Sequence, residues 1–130
     1  MFVKAMAVIY GIAGDTTAEN PTWELVEATL QSLDGEGCDG VSLDSIGDSC
    51  MGISGGNDGR YVVAGYLKGF GNFICASGES AGPAKDVAVA GDFNSYASIN
   101  VVSIQTAIAA AKAFCEGGVL SEHLVWEKEP

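Results

Sequence analysis

Apolar residues recur near the end of the chain at Ile104, Ala107, Ile108, Ala111, Phe114 and Cys115. That spacing traces one face of a 3.6-residue period and predicts an amphipathic helix. Ser103 precedes it as an N-cap whose hydroxyl accepts a backbone N–H of the first turn. Gly117 is expected to end it in the left-handed conformation. A second helix is predicted from Asn20-Pro21, read as a cap followed by proline at the first helical position. Trp23, Val26, Leu30 and Leu33 then share one stripe, Glu24, Glu27 and Gln31 lie off it, and the helix ends near Asp34-Gly35.

The remaining apolar runs are short and read as strands. They cover residues 1–10, 41–46, 50–54, 60–67, 72–76, 86–90 and a last segment holding Trp126. Tyr61-Val62-Val63-Ala64 is nearly continuous and predicts a central strand. Gly55-Gly56-Asn57-Asp58-Gly59 reads as a hairpin turn. Residues 11–19 and 77–84 read as loops, and 91–100 as a loop or a sheet edge. Consecutive strands between two helices predict an α+β domain: a mainly antiparallel sheet of about six to seven strands with two principal helices on one face. A chain of 130 residues fits one domain, residues 1–130, and buries roughly two-thirds of its unfolded surface.

The start of the chain shares some features with a signal peptide. Gly11 interrupts it, and Phe2, Val3, Val8, Ile9 and Tyr10 are strand formers. It is therefore read as a first strand, and the protein as cytoplasmic. No run of about 18 apolar residues suggests a membrane span.

Charge sharpens this picture. There are 17 acidic residues against 6 basic ones, a net of −11. No base occurs between Lys4 and Arg60, an interval that holds Asp15, Glu19, Glu24, Glu27, Asp34, Glu36, Asp39, Asp44, Asp48 and Asp58. Such a field repels nucleic acid and anionic membrane, and it attracts a basic partner and speeds the encounter.

Catalytic machinery is not evident, and the chain is read as a non-enzyme without cofactor or metal. His123 is the sole histidine. Cys38, Cys50, Cys75 and Cys115 show no zinc spacing. Gly52-Ile53-Ser54-Gly55-Gly56 lacks the spacing of a nucleophile elbow. Gly69-Phe70-Gly71 precedes no helix and is no dinucleotide fingerprint. Asn57-Asp58-Gly59 lacks the alternating ligands of a calcium loop.

The C-terminal order is a hydrophobic residue, a cap, a helix with small residues and a Phe, a Gly turn, and a strand with a Trp. Val102, Ser103, Ala107, Ala111, Phe114, Gly118 and Trp126 occupy those positions. This resembles a family of bacterial immunity proteins that neutralise polymorphic toxins, many of them nucleic-acid deaminases. Leu120-Ser121 stand where that family often has a proline. Tyr66-Leu67, Gly71-Asn72-Phe73 and residues 87–91 are similar to its central strands.

The resemblance implies a non-enzymatic inhibitor that binds a cognate, basic, nucleic-acid-acting toxin domain and occludes its substrate site. Asp34, Glu36, Asp39, Asp44 and Asp48 are expected to steer the toxin in. Asp92, Phe93 and Tyr96 are expected to touch it, because a loop aromatic beside an acid suits an interface anchor. The alternative is a small-molecule-binding or regulatory module with a pocket lined by Gly52 to Gly56 and Phe70.

Overall fold

A computed structural model describes residues 5–10, 16–19, 22–35, 40–45, 48–89 and 92–129. Among these, nine strands and two α-helices form an α+β fold. The strands are β1 (Ala5–Tyr10), β2 (Thr16–Glu19), β3 (Gly40–Ser45), β4 (Cys50–Gly55), β5 (Tyr61–Leu67), β6 (Gly71–Cys75), β7 (Lys85–Val89), β8 (Asp92–Tyr96) and β9 (Trp126–Lys128). The helices are α1 (Trp23–Gln31) and α2 (Ile104–Gly117). Seven strands make an antiparallel sheet in the order β2-β1-β3-β4-β5-β6-β9. β7 and β8 form a separate two-stranded ribbon.

Register decides which side chains meet. Val41 lies opposite Ile53, Leu43 opposite Met51, Ile53 opposite Val63, and Cys75 opposite Trp126. Because a strand's side chains alternate and cross-strand partners lie on the same side, these residues share one face of the sheet. On that face they bury against Val26, Leu30 and Leu33 of the α1 region and Ala107, Ala110, Ala111, Phe114 and Cys115 of α2. Both helices thus cover one face, as the sequence predicts. The even positions Val62 and Ile74 face the other way and form a smaller cluster with Val87, Val89, Tyr96 and Val101. The ribbon is therefore a third layer.

Helix ends differ from the sequence reading by one to about three residues. Thr22, not Asn20, is the N-cap of α1; its hydroxyl accepts from the Leu25 N–H at 3.2 Å. Asn20 and Pro21 lie outside the described residues, and the first helical residue is Trp23. Gln31 is the last, with Ser32 as C-cap, so the helix stops short of Asp34. α2 begins after Ser103 as expected. Its left-handed cap is Gly118 (φ 65°), while Gly117 is still helical.

One segment read as a loop contains a strand, and the segment read as a loop or a sheet edge is an edge strand. Residues 16–19 add β2 to the free side of β1, with Met6 opposite Glu19. Within 91–100, Asp92–Tyr96 pairs with β7. The expected first strand is seen from Ala5 onward; residues 1–4 lie outside the described residues, as do the loop positions 11–15.

Small residues allow α2 to approach the sheet. Ala107, Ala110 and Ala111 are fully buried, with Phe114 filling the space beyond them. Phe114→Ala is expected to cost about 3–5 kcal/mol in urea unfolding, whereas Leu25→Ala, at an exposed helix position, should change stability by less than about 0.5 kcal/mol.

Burial, and secondarily Glu116, pushes the Cys115 thiol up to about 11. Burial also raises Cys75 and Tyr61. An unfolded thiol ionises near 9.0, so the unfolded chain releases that proton first. The stability this contributes is complete below pH 9.0 and is lost as pH rises through about 11. Urea midpoints should therefore fall across that window, and Cys115→Val should make the fall shallower.

Candidate interaction surface

The ribbon is held on the sheet from two directions. Val87 is fully buried against Val62, and Tyr96 packs beside them. At the outer edge of β7, one side-chain amide replaces a neighbouring strand. The Asn57 Nδ2 donates to the Asp86 carbonyl at 3.1 Å, and its Oδ1 accepts from the Ala88 N–H at 2.9 Å. The Arg60 guanidinium donates to the same Asp86 carbonyl at 3.3 Å. Asn57 and Arg60 flank the β4–β5 turn, so that turn both closes a hairpin and seals an edge.

β8 is exposed on both faces from Asp92 to Ser95. Only its Tyr96 end rests on the core, so the strand overhangs the sheet. The two aromatics expected at an interface therefore separate. Tyr96 belongs to the second cluster, while Phe93 is 64% exposed. Asp92 is exposed next to it. Phe93 pairs with Ala88 and so points away from the sheet, on the face opposite Val87.

The acids expected to steer do not form one patch. The backbone of Asp34 packs against Gly56, at the β4–β5 end of the sheet. Asp48 sits before β4, at its other end, with φ 63°. Six residues of β4 separate the two ends, roughly 20 Å of extended chain. Asp44 is on β3, on the face shared with the ribbon, where its carboxylate accepts from the Ser42 hydroxyl at 3.4 Å. Glu36 and Asp39 lie outside the described residues. The structure thus brings Asp92 and Phe93 together and spreads Asp34, Asp44 and Asp48 along the domain.

Four of the six bases have a local partner among the described residues. Lys85 pairs with Glu79 at 3.0 Å. Lys112 lies 6.0 Å from the Trp23 ring centre and Lys128 5.6 Å from that of Phe70. With Arg60 bonded to Asp86, the outward field of the chain is set by its acids.

The glycines of the alternative reading serve backbone packing. A Cβ on Gly55 would lie 2.2 Å from the Arg60 carbonyl oxygen, and one on Gly56 2.4 Å from the Leu33 carbonyl. These glycines and Phe70 flank opposite ends of β5, roughly 20 Å apart for seven residues. They do not line one pocket. A shallow, open depression of about 540 Å³ lies instead beside α1, lined by Glu24, Glu27, Ala28, Gln31 and Ser32.

His123 is exposed, whereas Cys75 and Cys115 are buried free thiols. Among the described residues no three His, Cys, Asp or Glu side chains gather as metal ligands. Among the same residues no helix is long and apolar enough to cross a membrane.

The residues carrying the C-terminal resemblance are caps and packing positions. Val102 exchanges backbone hydrogen bonds with Tyr61, and Ser103 caps α2. Trp126 stacks edge-on against Phe73 at 5.3 Å, and its indole N–H donates to the Ser121 carbonyl at 2.9 Å. No family model matches the chain, and no curated protein matches it.

In the sequence Asn57 reads as a turn residue and as part of a rejected calcium loop, and nothing there marks its role at the β7 edge. Asn57→Ala leaves the Ala88 N–H without its partner and the Asp86 carbonyl with Arg60 alone. It should lower stability by about 1–3 kcal/mol and speed amide exchange at Ala88 more than at Val63.

Proposed function

We propose that this chain is a cytoplasmic immunity protein that binds a cognate toxin domain and blocks the toxin's basic, nucleic-acid-binding site. The observation that carries this reading is Phe93, a large aromatic left 64% exposed on an overhanging strand beside Asp92, in a chain of net charge −11. A large exposed aromatic is the kind of side chain that anchors a protein interface. The surrounding field favours a cationic partner over nucleic acid. The C-terminal resemblance points to the same class.

The division of labour follows from range. Charges act across a Debye length of about 8 Å at physiological salt and beyond it when salt is low. Asp34, Glu36, Asp39, Asp44 and Asp48 therefore set the rate of encounter, even when they are not in one contact patch. Phe93 and Asp92 act at contact, where an anchor controls dissociation. A toxin groove built for phosphate is lined by Lys and Arg. An acidic protein seated there competes with substrate through the same charges.

The test captures the cognate toxin domain by pull-down from extracts of the source cell, co-expresses it with the chain and measures growth and binding kinetics. Protection from the toxin is expected. Phe93→Ala should raise the dissociation rate by about 30-fold or more. Reversing Asp44 and Asp48 together to Lys should slow association about tenfold at low salt and little at high salt. Full growth arrest despite saturating amounts of this chain would refute the reading.

A further inference from the structure

We infer that the free edge of β8 takes up an extended segment of the partner by strand addition, with Phe93 as the anchor beside it. The inference rests on the toxin reading and specifies how the partner is held. It follows from the hydrogen-bond parity of the ribbon. Asp86 O and Ala88 N point to Asn57, away from β8. Lys85, Val87 and Val89 therefore direct their backbone groups at β8. Their opposites are Tyr96, Asn94 and Asp92. By the same alternation, Phe93 and Ser95 direct N–H and C=O outward. Among the described residues nothing bonds to those groups.

Edges left open in this way are usually blunted with lysine, proline or a bulge. Asp92-Phe93-Asn94-Ser95-Tyr96 contains no lysine or proline, and its five residues pair one-for-one with β7 without a bulge. The contrast with β7, whose edge Asn57 seals, is internal to the ribbon. β8 is also clear of the sheet on both faces, so an added strand meets no steric barrier from the described residues.

Charge selects the occupant. A second copy of this chain brings another −11 to the same edge, which opposes self-pairing. A segment alternating Lys or Arg with apolar residues meets Asp92 on one face and Phe93 on the other. Strand addition supplies affinity through the backbone and specificity through such alternate side chains.

The test uses the full chain in complex with the captured toxin domain, disabled at its active site. Residue-resolved amide exchange is measured with and without it. Phe93 and Ser95 amides should exchange rapidly in the free protein and slow at least about tenfold in the complex. Ser95→Pro removes the outward N–H at an edge position that tolerates proline. It should weaken binding about tenfold or more, while Ser95→Ala stays within about twofold. The exchange measurement needs no variant, so it decides even if Ser95→Pro does not fold.

A tight complex with unchanged exchange at Phe93 and Ser95 overturns the edge inference and leaves the toxin reading intact. No complex at all overturns both. Protection that grows with protein concentration in the absence of toxin assigns the edge to self-pairing and overturns the basic partner.

Discussion

The fold depends on β5 being buried from both sides. Tyr61 and Val63 enter the helix-facing core, while Val62 enters the cluster under the ribbon. A strand with one wet face alternates apolar and polar residues; this one cannot, and its continuous Tyr-Val-Val is the result. The start of β5 is also tied to the lead-in of α2, because Tyr61 and Val102 exchange backbone hydrogen bonds at 3.0 and 2.8 Å. Sheet, helix and ribbon are thereby fixed to one another through three consecutive residues.

That arrangement explains why an exposed strand edge survives on a well-packed domain. The ribbon needs only Val87, Val89 and Tyr96 to dock. Asn57 and Arg60, at the two flanks of the β4–β5 turn, hold the β7 side. Everything beyond Tyr96 on β8 overhangs and carries no packing duty. The surface is rigid where it is anchored and open where it projects, which suits a partner that arrives with its own backbone groups unpaired.

The sequence made the helices, the central strand and the placing of both helices on one face of an antiparallel sheet legible because those rest on periodicity. The cap of α2 was missed by one residue, since Gly117 and Gly118 are equivalent in pattern and only the last hydrogen bond, from the Gly118 N–H to the Phe114 carbonyl, separates them. β2 carried no apolar alternation; its pairing with β1 is a tertiary choice. The ribbon's separation from the main sheet was also hidden, because β7 reads like any half-buried strand. The exposure of Phe93 against the burial of Tyr96 follows from parity and overhang, neither of which is visible before β7 is docked. Acids close in the sequence moved apart because β3 runs between Asp34 and Asp48 and carries the chain from one end of the sheet to the other.

Isothermal titration of the purified chain with the purified, active-site-disabled toxin domain, at low and high salt, tests the central claim most directly. The account requires a one-to-one complex with nanomolar or tighter affinity that weakens as salt rises. A flat titration at micromolar concentrations of both proteins would contradict it.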